Sequence, residues 1–255
     1  MISPDTSPPF KAFRQFNEPG FEAIASSRTS VDPSSVLRHF PSDTPADVIA
    51  RALGETRATS IKELVESFEF FHQTRKHLRA RHIIDLCCGH GLTGMLYGVL
   101  DRKVESVTLV DQTKPLCVDI ILDSLAAAAP WVKEKVRHLA LPEKEWSTIE
   151  ANSDTSLIGV HACGPLTDRC LDFAIARGLP VAVMPCCYPH ESCPAPSSVR
   201  QALGAEQAYD VHRTYHLEQA GYRVKWRYIP GAITPMNRIL IGKTQTGRWI
   251  GPEQA

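Results

Sequence analysis

The chain has 255 residues, and its 28 acids balance its 28 lysines and arginines, so no global field draws it to nucleic acid or to a membrane surface. Apolar residues make up 43%, ordinary for a globular protein, and no apolar run approaches the length of a membrane span. The length suits one α/β domain with an N-terminal extension, the start lacks the pattern of a secretory leader, and eight cysteines in a chain too large to need disulfide staples fit a reducing cytoplasm.

In chain order, residues 1–43 are rich in Pro, Ser and Asp with scattered Phe. This is the composition of an irregular, partly disordered arm that can wrap a domain. Residues 44–81 predict helices. Thr44 caps the first, Pro45 takes its first position, Val48, Ile49 and Leu53 give its apolar face, and Gly54 stops it. Ser60 and Glu63 form a capping box. The helix they open puts Ile61, Leu64, Val65, Phe68 and Phe71 on one face and ends in Arg75, Lys76, His77, Arg79, Arg81 and His82. That basic cluster reads either as a solvated helix end or as a hold for an RNA backbone.

From residue 82 to 255, strand and helix patterns alternate. Strands are expected at 82–87, 104–111, 136–140, 156–162, 180–186, 222–230 and 238–244, with helices between them, notably 114–129, 166–178 and 206–220. Such alternation predicts an α/β, Rossmann-like fold: a seven-stranded, mostly parallel sheet with helices on both faces. Residues 230–237 are too few for a helical crossover, so the last two strands should pair antiparallel.

The densest signal runs from Asp85 to Gly94, Asp-Leu-Cys-Cys-Gly-His-Gly-Leu-Thr-Gly. A strand, a glycine turn and a helix start make a cofactor cradle, where free backbone N–H groups face the ligand. Asp111 ends the next strand, where an acid accepts hydrogen bonds from ribose hydroxyls. In a dinucleotide fold the glycines hold a pyrophosphate, which Asp85 would repel. S-adenosylmethionine (SAM) carries no phosphate but an ammonium and a sulfonium, which suit an acid there. The expected cofactor is therefore SAM. Asp85, Gly89 and Gly91 should take its methionine end and Asp111 its ribose, with Cys87, Gln112 and His161 completing the set.

Ligands of open parallel sheets bind at the carboxyl ends of strands. The later strands end in His161-Ala162-Cys163-Gly164 and Pro185-Cys186-Cys187-Tyr188-Pro189-His190, and the last hairpin carries Thr234-Pro235-Met236-Asn237-Arg238. With the Asp85 stretch, these motifs resemble a class I SAM-dependent methyltransferase over about residues 60–244. More closely, they resemble the branch that also holds the C-terminal domain of the glutathione-S-transferase-C-terminal-domain-containing protein. The cysteine motifs are similar to those of tRNA 2′-O-methyltransferases. The resemblance implies methyl transfer from SAM. The chain lacks the Asp/Asn-Pro-Pro-Tyr/Phe motif found after strand four in many amino-methylating enzymes, which makes amide-nitrogen or adenine-N6 methylation a poorer fit.

His161, Tyr188 and Asn237 are expected around the transferred methyl. His161 reads as a general base or as a histidine bonded to backbone, and Tyr188 as a stacking surface or as packing. The Tyr209 to Tyr215 string reads as an exposed helix with salt bridges, or as one turning Asp210, Arg213 and Thr214 to the crevice. No metal is expected. The chain has no C-x-x-C pair, and adjacent cysteines usually point apart, although Cys87, Cys88, Cys163, Cys186 and Cys187 with His90, His161 and His190 offer ligand chemistry. The acceptor stays open between RNA, a protein side chain and a small molecule, with no DNA or membrane partner expected. A non-catalytic SAM-binding subunit is the rival from another class.

Overall fold

Seven segments form strands: His82–Leu86 (β1), Ser106–Asp111 (β2), Val136–Ala140 (β3), Thr155–Val160 (β4), Val181–Met184 (β5), Tyr222–Tyr228 (β6) and Arg238–Thr244 (β7). The computed structural model describes residues 7–189 and 193–244. The strands form one sheet in the order β3-β2-β1-β4-β5-β7-β6. β1 to β5 pair in parallel, and β7 runs antiparallel to both of its neighbours. The antiparallel hairpin and the mostly parallel sheet agree with the expectation from sequence. The order reverses beside β1, which lies between β2 and β4, and that junction is where a crevice opens in such sheets.

The helices are Glu22–Ala25 (α1), Pro33–His39 (α2), Pro45–Gly54 (α3), Ile61–Thr74 (α4), Leu92–Leu100 (α5), Leu116–Ala128 (α6), Val132–Lys135 (α7), Pro165–Arg177 (α8), Ser197–Leu203 (α9) and Ala205–Gln219 (α10). Alternate strand residues face opposite layers. Ile83, Val107 and Leu109 join a core with α3 to α6, whereas Ile84, Leu86 and Val110 join one with α8 and α10. At α3, the Thr44 side chain accepts from the Asp47 N–H. At α4 both capping-box bonds form, from Glu63 N–H to Ser60 Oγ (3.2 Å) and from Ser60 N–H to Glu63 Oε2 (3.1 Å). No helix of the described residues is long and apolar enough to cross a membrane.

The arm differs from its expected irregular form. It holds α1, α2 and a 3-10 turn at Arg14–Asn17, and four of its five phenylalanines (Phe10, Phe13, Phe16 and Phe40) are core. Phe13 packs its ring 5.0 Å from those of Phe40 and Phe68, and Phe16 lies 5.8 Å from Phe13. The rings of Phe13, Phe16, Phe40 and Phe68 are fully buried. Backbone N–H groups of Lys11 and Ala12 donate to Glu69 Oε1 on α4, at 2.7 and 2.8 Å. Aromatic burial of this size outweighs the low helix propensity of a Pro- and Ser-rich segment.

α10 also departs from the reading as an exposed, salt-bridged helix. Asp210 and Arg213 are buried, and Arg213 bonds both Asp210 and Asp168. Arg238 from β7 also donates to Asp210 (2.6 Å), so the buried Asp210 lies between two arginines, and Asp168 supplies the second negative charge that balances them.

Candidate active site

A cavity of about 1010 Å³ opens at the carboxyl ends of β1, β2 and β4. Of the residues singled out from sequence, Asp85, Cys87, Gly89, Asp111, Gln112 and His161 line it. Helix α4 contributes Lys62, Glu63, Glu66 and Ser67, and the β6–β7 hairpin contributes Thr234, Pro235 and Met236. Five carboxylates (Glu63, Glu66, Asp85, Asp111 and Glu143) line the cavity against two permanent cations, Arg28 and Lys62. Such a surplus favours a cationic guest.

The glycine turn is built by strand-end geometry. Cys88 N–H donates to the Val110 carbonyl, and Asp111 Oδ2 accepts from Gly89 N–H at 2.9 Å. Asp111 therefore ties the turn of β1 to the end of β2. Gly89 has φ +52°, and a Cβ placed there would meet nothing within 4 Å, so the backbone faces open space. Gly91 serves packing instead: a Cβ there would lie 2.6 Å from Leu109 Cδ1, and Gly91 does not line the cavity. Asp85 is buried and accepts from Gly94 N–H at 3.0 Å. Burial first, and the nearby Asp111 charge, push its carboxyl up to about 8, against the pull of the Gly94 bond.

His161 follows β4 with φ +60°, and Cys87 follows the neighbouring β1 with φ +58°. Non-glycine residues in this left-handed region are strained by roughly 1–3 kcal/mol and cluster at functional sites. His161 Nε2 lies 2.7 Å from Glu66 Oε2, which also accepts from Lys62 Nζ at 2.9 Å. Burial acts to raise the Glu66 carboxyl, but the His161 bond and the charges of His161 and Lys62 outweigh it and hold it below its ordinary value. An ionised Glu66 accepts from Nε2–H and leaves His161 Nδ1 as a proton acceptor. Beside it, His90 Nδ1 accepts from Leu92 N–H at 3.1 Å, and burial holds that imidazole below its usual range.

Tyr188 and Asn237 are not brought to the cavity wall. The Tyr188 hydroxyl donates to Asp210 Oδ2 at 2.7 Å inside the charged pocket, and Asn237 Nδ2 donates to the Ile229 carbonyl at 2.8 Å, bracing the hairpin. Their expected place around the methyl rested on strand-end position alone, and each side chain turns to a nearer polar partner. His190 lies outside the described residues. The basic cluster borders a separate hollow with Asp101 and Asp154, by the start of β1, about 16 Å of strand away from the cavity. Glu66 escaped the sequence reading because α4 was read for its apolar face. The signal was present: Glu66 and Glu69 interrupt a run from Leu64 to Phe71 that leaves no solvent side.

A family model described as a methyltransferase domain matches residues 56–191, more than half of the chain. The chain belongs to the methyltransferase domain family. This methyltransferase is a SAM-dependent enzyme, and the cavity fits that cofactor in two respects: an open glycine backbone at Gly89 and a surplus of acids for a cofactor that carries a sulfonium and an ammonium. Among solved structures, cofactor-bound Rv0187 from MTB is 13% identical, with 83% of this chain and 95% of that chain covered at a TM-score of 0.52. It shares the methyltransferase fold. A putative O-methyltransferase from Klebsiella pneumoniae is 11% identical, covering 83% of this chain and 95% of that one at a TM-score of 0.49. Among curated proteins, none matches the methyltransferase.

Proposed function

We propose that this methyltransferase methylates a hydroxyl of a small-molecule acceptor, with His161 as the general base. The observation that carries the reading is the 2.7 Å pair between His161 Nε2 and the buried Glu66 at the cavity wall. SAM supplies an electrophilic methyl on a sulfonium. A hydroxyl must shed its proton as it attacks carbon, and an imidazole held in one tautomer by a carboxylate accepts it at Nδ1. Glu66 then faces an imidazolium, which its charge stabilises. Asp85 and the Gly89 turn hold the methionine end. An ammonium against Asp85 offsets the cost of ionising it in its buried seat. Asp111, with Gln112 beside it, takes the ribose hydroxyls. Holding the acceptor in line with the methyl supplies the rest of the acceleration.

Two features support a small molecule over RNA. The lining acids outnumber the cations, which repels phosphate, and the basic cluster opens at the other end of the strands, by the start of β1. The motif resemblance to tRNA 2′-O-methyltransferases favours a second reading, a ribose hydroxyl acted on by the same base. Labelled SAM incubated with fractionated cell extract separates them. Label in the small-molecule fraction supports the first, and label in RNA that falls steeply with salt supports the second. Label in protein replaces both with a protein acceptor, and label in no fraction replaces them with a non-catalytic SAM-binding subunit. His161→Ala should keep the thermal shift with SAM and lower turnover by about 10²–10³-fold, the deficit shrinking at high pH. Unchanged turnover would remove His161 from the reaction.

A further inference from the structure

Three thiols meet at the rim of the cavity. β4 and β5 are paired neighbours, with Val160 opposite Met184, so the loops that follow them leave side by side. Cys163 comes from the first loop, and Cys186 and Cys187 from the second. Their sulfurs form a triangle with sides of 3.2 Å (Cys163 to Cys186), 3.4 Å (Cys163 to Cys187) and 3.6 Å (Cys186 to Cys187). All three are free thiols.

Packing does not account for this arrangement. A cysteine that fills space is buried, as Cys170 is, but Cys163 and Cys187 are exposed and Cys186 half-buried. Adjacent residues of an extended strand point to opposite faces. β5 ends at Met184, and the irregular backbone after it turns both vicinal sulfurs to the same side. The expectation that adjacent cysteines point apart fails there for this reason.

We propose that Cys163, Cys186 and Cys187 form a three-thiolate site for zinc(II), with its fourth coordination position open beside the cavity. Tetrahedral zinc with Zn–S bonds of about 2.3 Å places its sulfurs about 3.8 Å apart, a few tenths of an ångström wider than the triangle. A disulfide would need a pair to close to about 2.05 Å, a far larger movement. An all-sulfur donor set selects a soft or borderline ion over magnesium or calcium. Binding releases three thiol protons to solvent as three Zn–S bonds form, and leaves the site with one net negative charge. Among the described residues no histidine or carboxylate joins the three sulfurs as a fourth ligand. Cys163 and Cys186 themselves line the cavity, so the open position sits where a water or an ionisable atom of a guest can reach it.

The site is tested on the full chain, purified under reductant, without any acceptor, so the result is separate from the fate of the proposed reaction. Elemental analysis should find close to one zinc per chain. Cobalt(II) added to zinc-stripped protein should show the near-ultraviolet thiolate charge-transfer band and the intense visible bands of a tetrahedral site. Cys187→Ser, which leaves the cavity wall intact, should weaken metal binding at least 100-fold while keeping the thermal shift with SAM. Cys163→Ser gives a second, independent reading, and Cys117→Ser should change nothing. Metal-free protein that stays folded and shows no cobalt spectrum would overturn the site. So would metal that survives both substitutions, or a mapped disulfide within the triangle.

Discussion

Helix α4 carries two buried carboxylates three residues apart, and they are displaced in opposite directions. Glu66 looks into the cavity, where His161 and Lys62 hold it ionised against the cost of its burial. Glu69 lies under the N-terminal arm, and there burial lifts it from 4.5 to about 7, with two backbone N–H donors and Lys11 offsetting only part of the rise. One oxygen of each carboxylate, Glu66 Oε1 and Glu69 Oε2, has no partner. The contrast shows that depth alone does not set a group's charge. A cavity side furnished with cations keeps a carboxylate ready for chemistry, whereas a side furnished with phenylalanines and amides tends to neutralise it.

The largest effect should come from the arm. Phe13→Ala removes a ring buried among Phe16, Phe40 and Phe68 and should cost about 3–5 kcal/mol of unfolding free energy in urea. A loss under 1 kcal/mol would mean that the arm is not part of the core.

Next comes the pH dependence of Glu69. Its folded pKa stands above its unfolded one, so below pH 4.5 both states keep the proton and the site costs nothing. As pH rises from 4.5 to about 7 the unfolded state gives up its proton first, and stability falls by about 3 kcal/mol. Glu69→Gln keeps an acceptor for the two N–H groups and should flatten that fall. Denaturation curves at pH 5 and pH 8 that differ equally in both proteins would remove Glu69 as the cause.

The smallest effect should come from the cavity side. Lys62→Met should cost about 1 kcal/mol at pH 7 by stripping one charged partner from Glu66. Glu66 has the opposite sign: its contribution is present above its unfolded pKa and is lost as pH falls. The Lys62→Met deficit should therefore shrink in acid. A deficit that grows in acid would reverse the assignment.

The sheet was legible because the central strands β4 and β5 are short, mostly apolar runs, β6 alternates polar and apolar residues, and helices between strands imply parallel pairing. The glycine turn was legible for a related reason: Asp85, Gly89 and Asp111 follow one another at intervals set by strand and helix lengths. Glu66 was not legible as the partner of His161, because a separation of 95 residues leaves no local trace of the contact. The arm misled because composition reports average polarity, whereas four well-placed phenylalanines decide the packing. Tyr188 and Asn237 misled because position at a strand end does not say which way a side chain turns.

The place of β7 bears on how the protein is made. The strand is the last of the sheet in sequence, yet it lies between β5 and β6 rather than at the margin. During vectorial synthesis β5 can pair on one side only, and β6 has no neighbour, until Arg238–Thr244 has left the ribosome. A nascent or nonsense-truncated chain that stops short of Arg238 leaves β5 with one bare edge and β6 with two. Such edges template association with other chains. Premature termination before Arg238 should therefore yield insoluble product in place of a soluble, shortened enzyme.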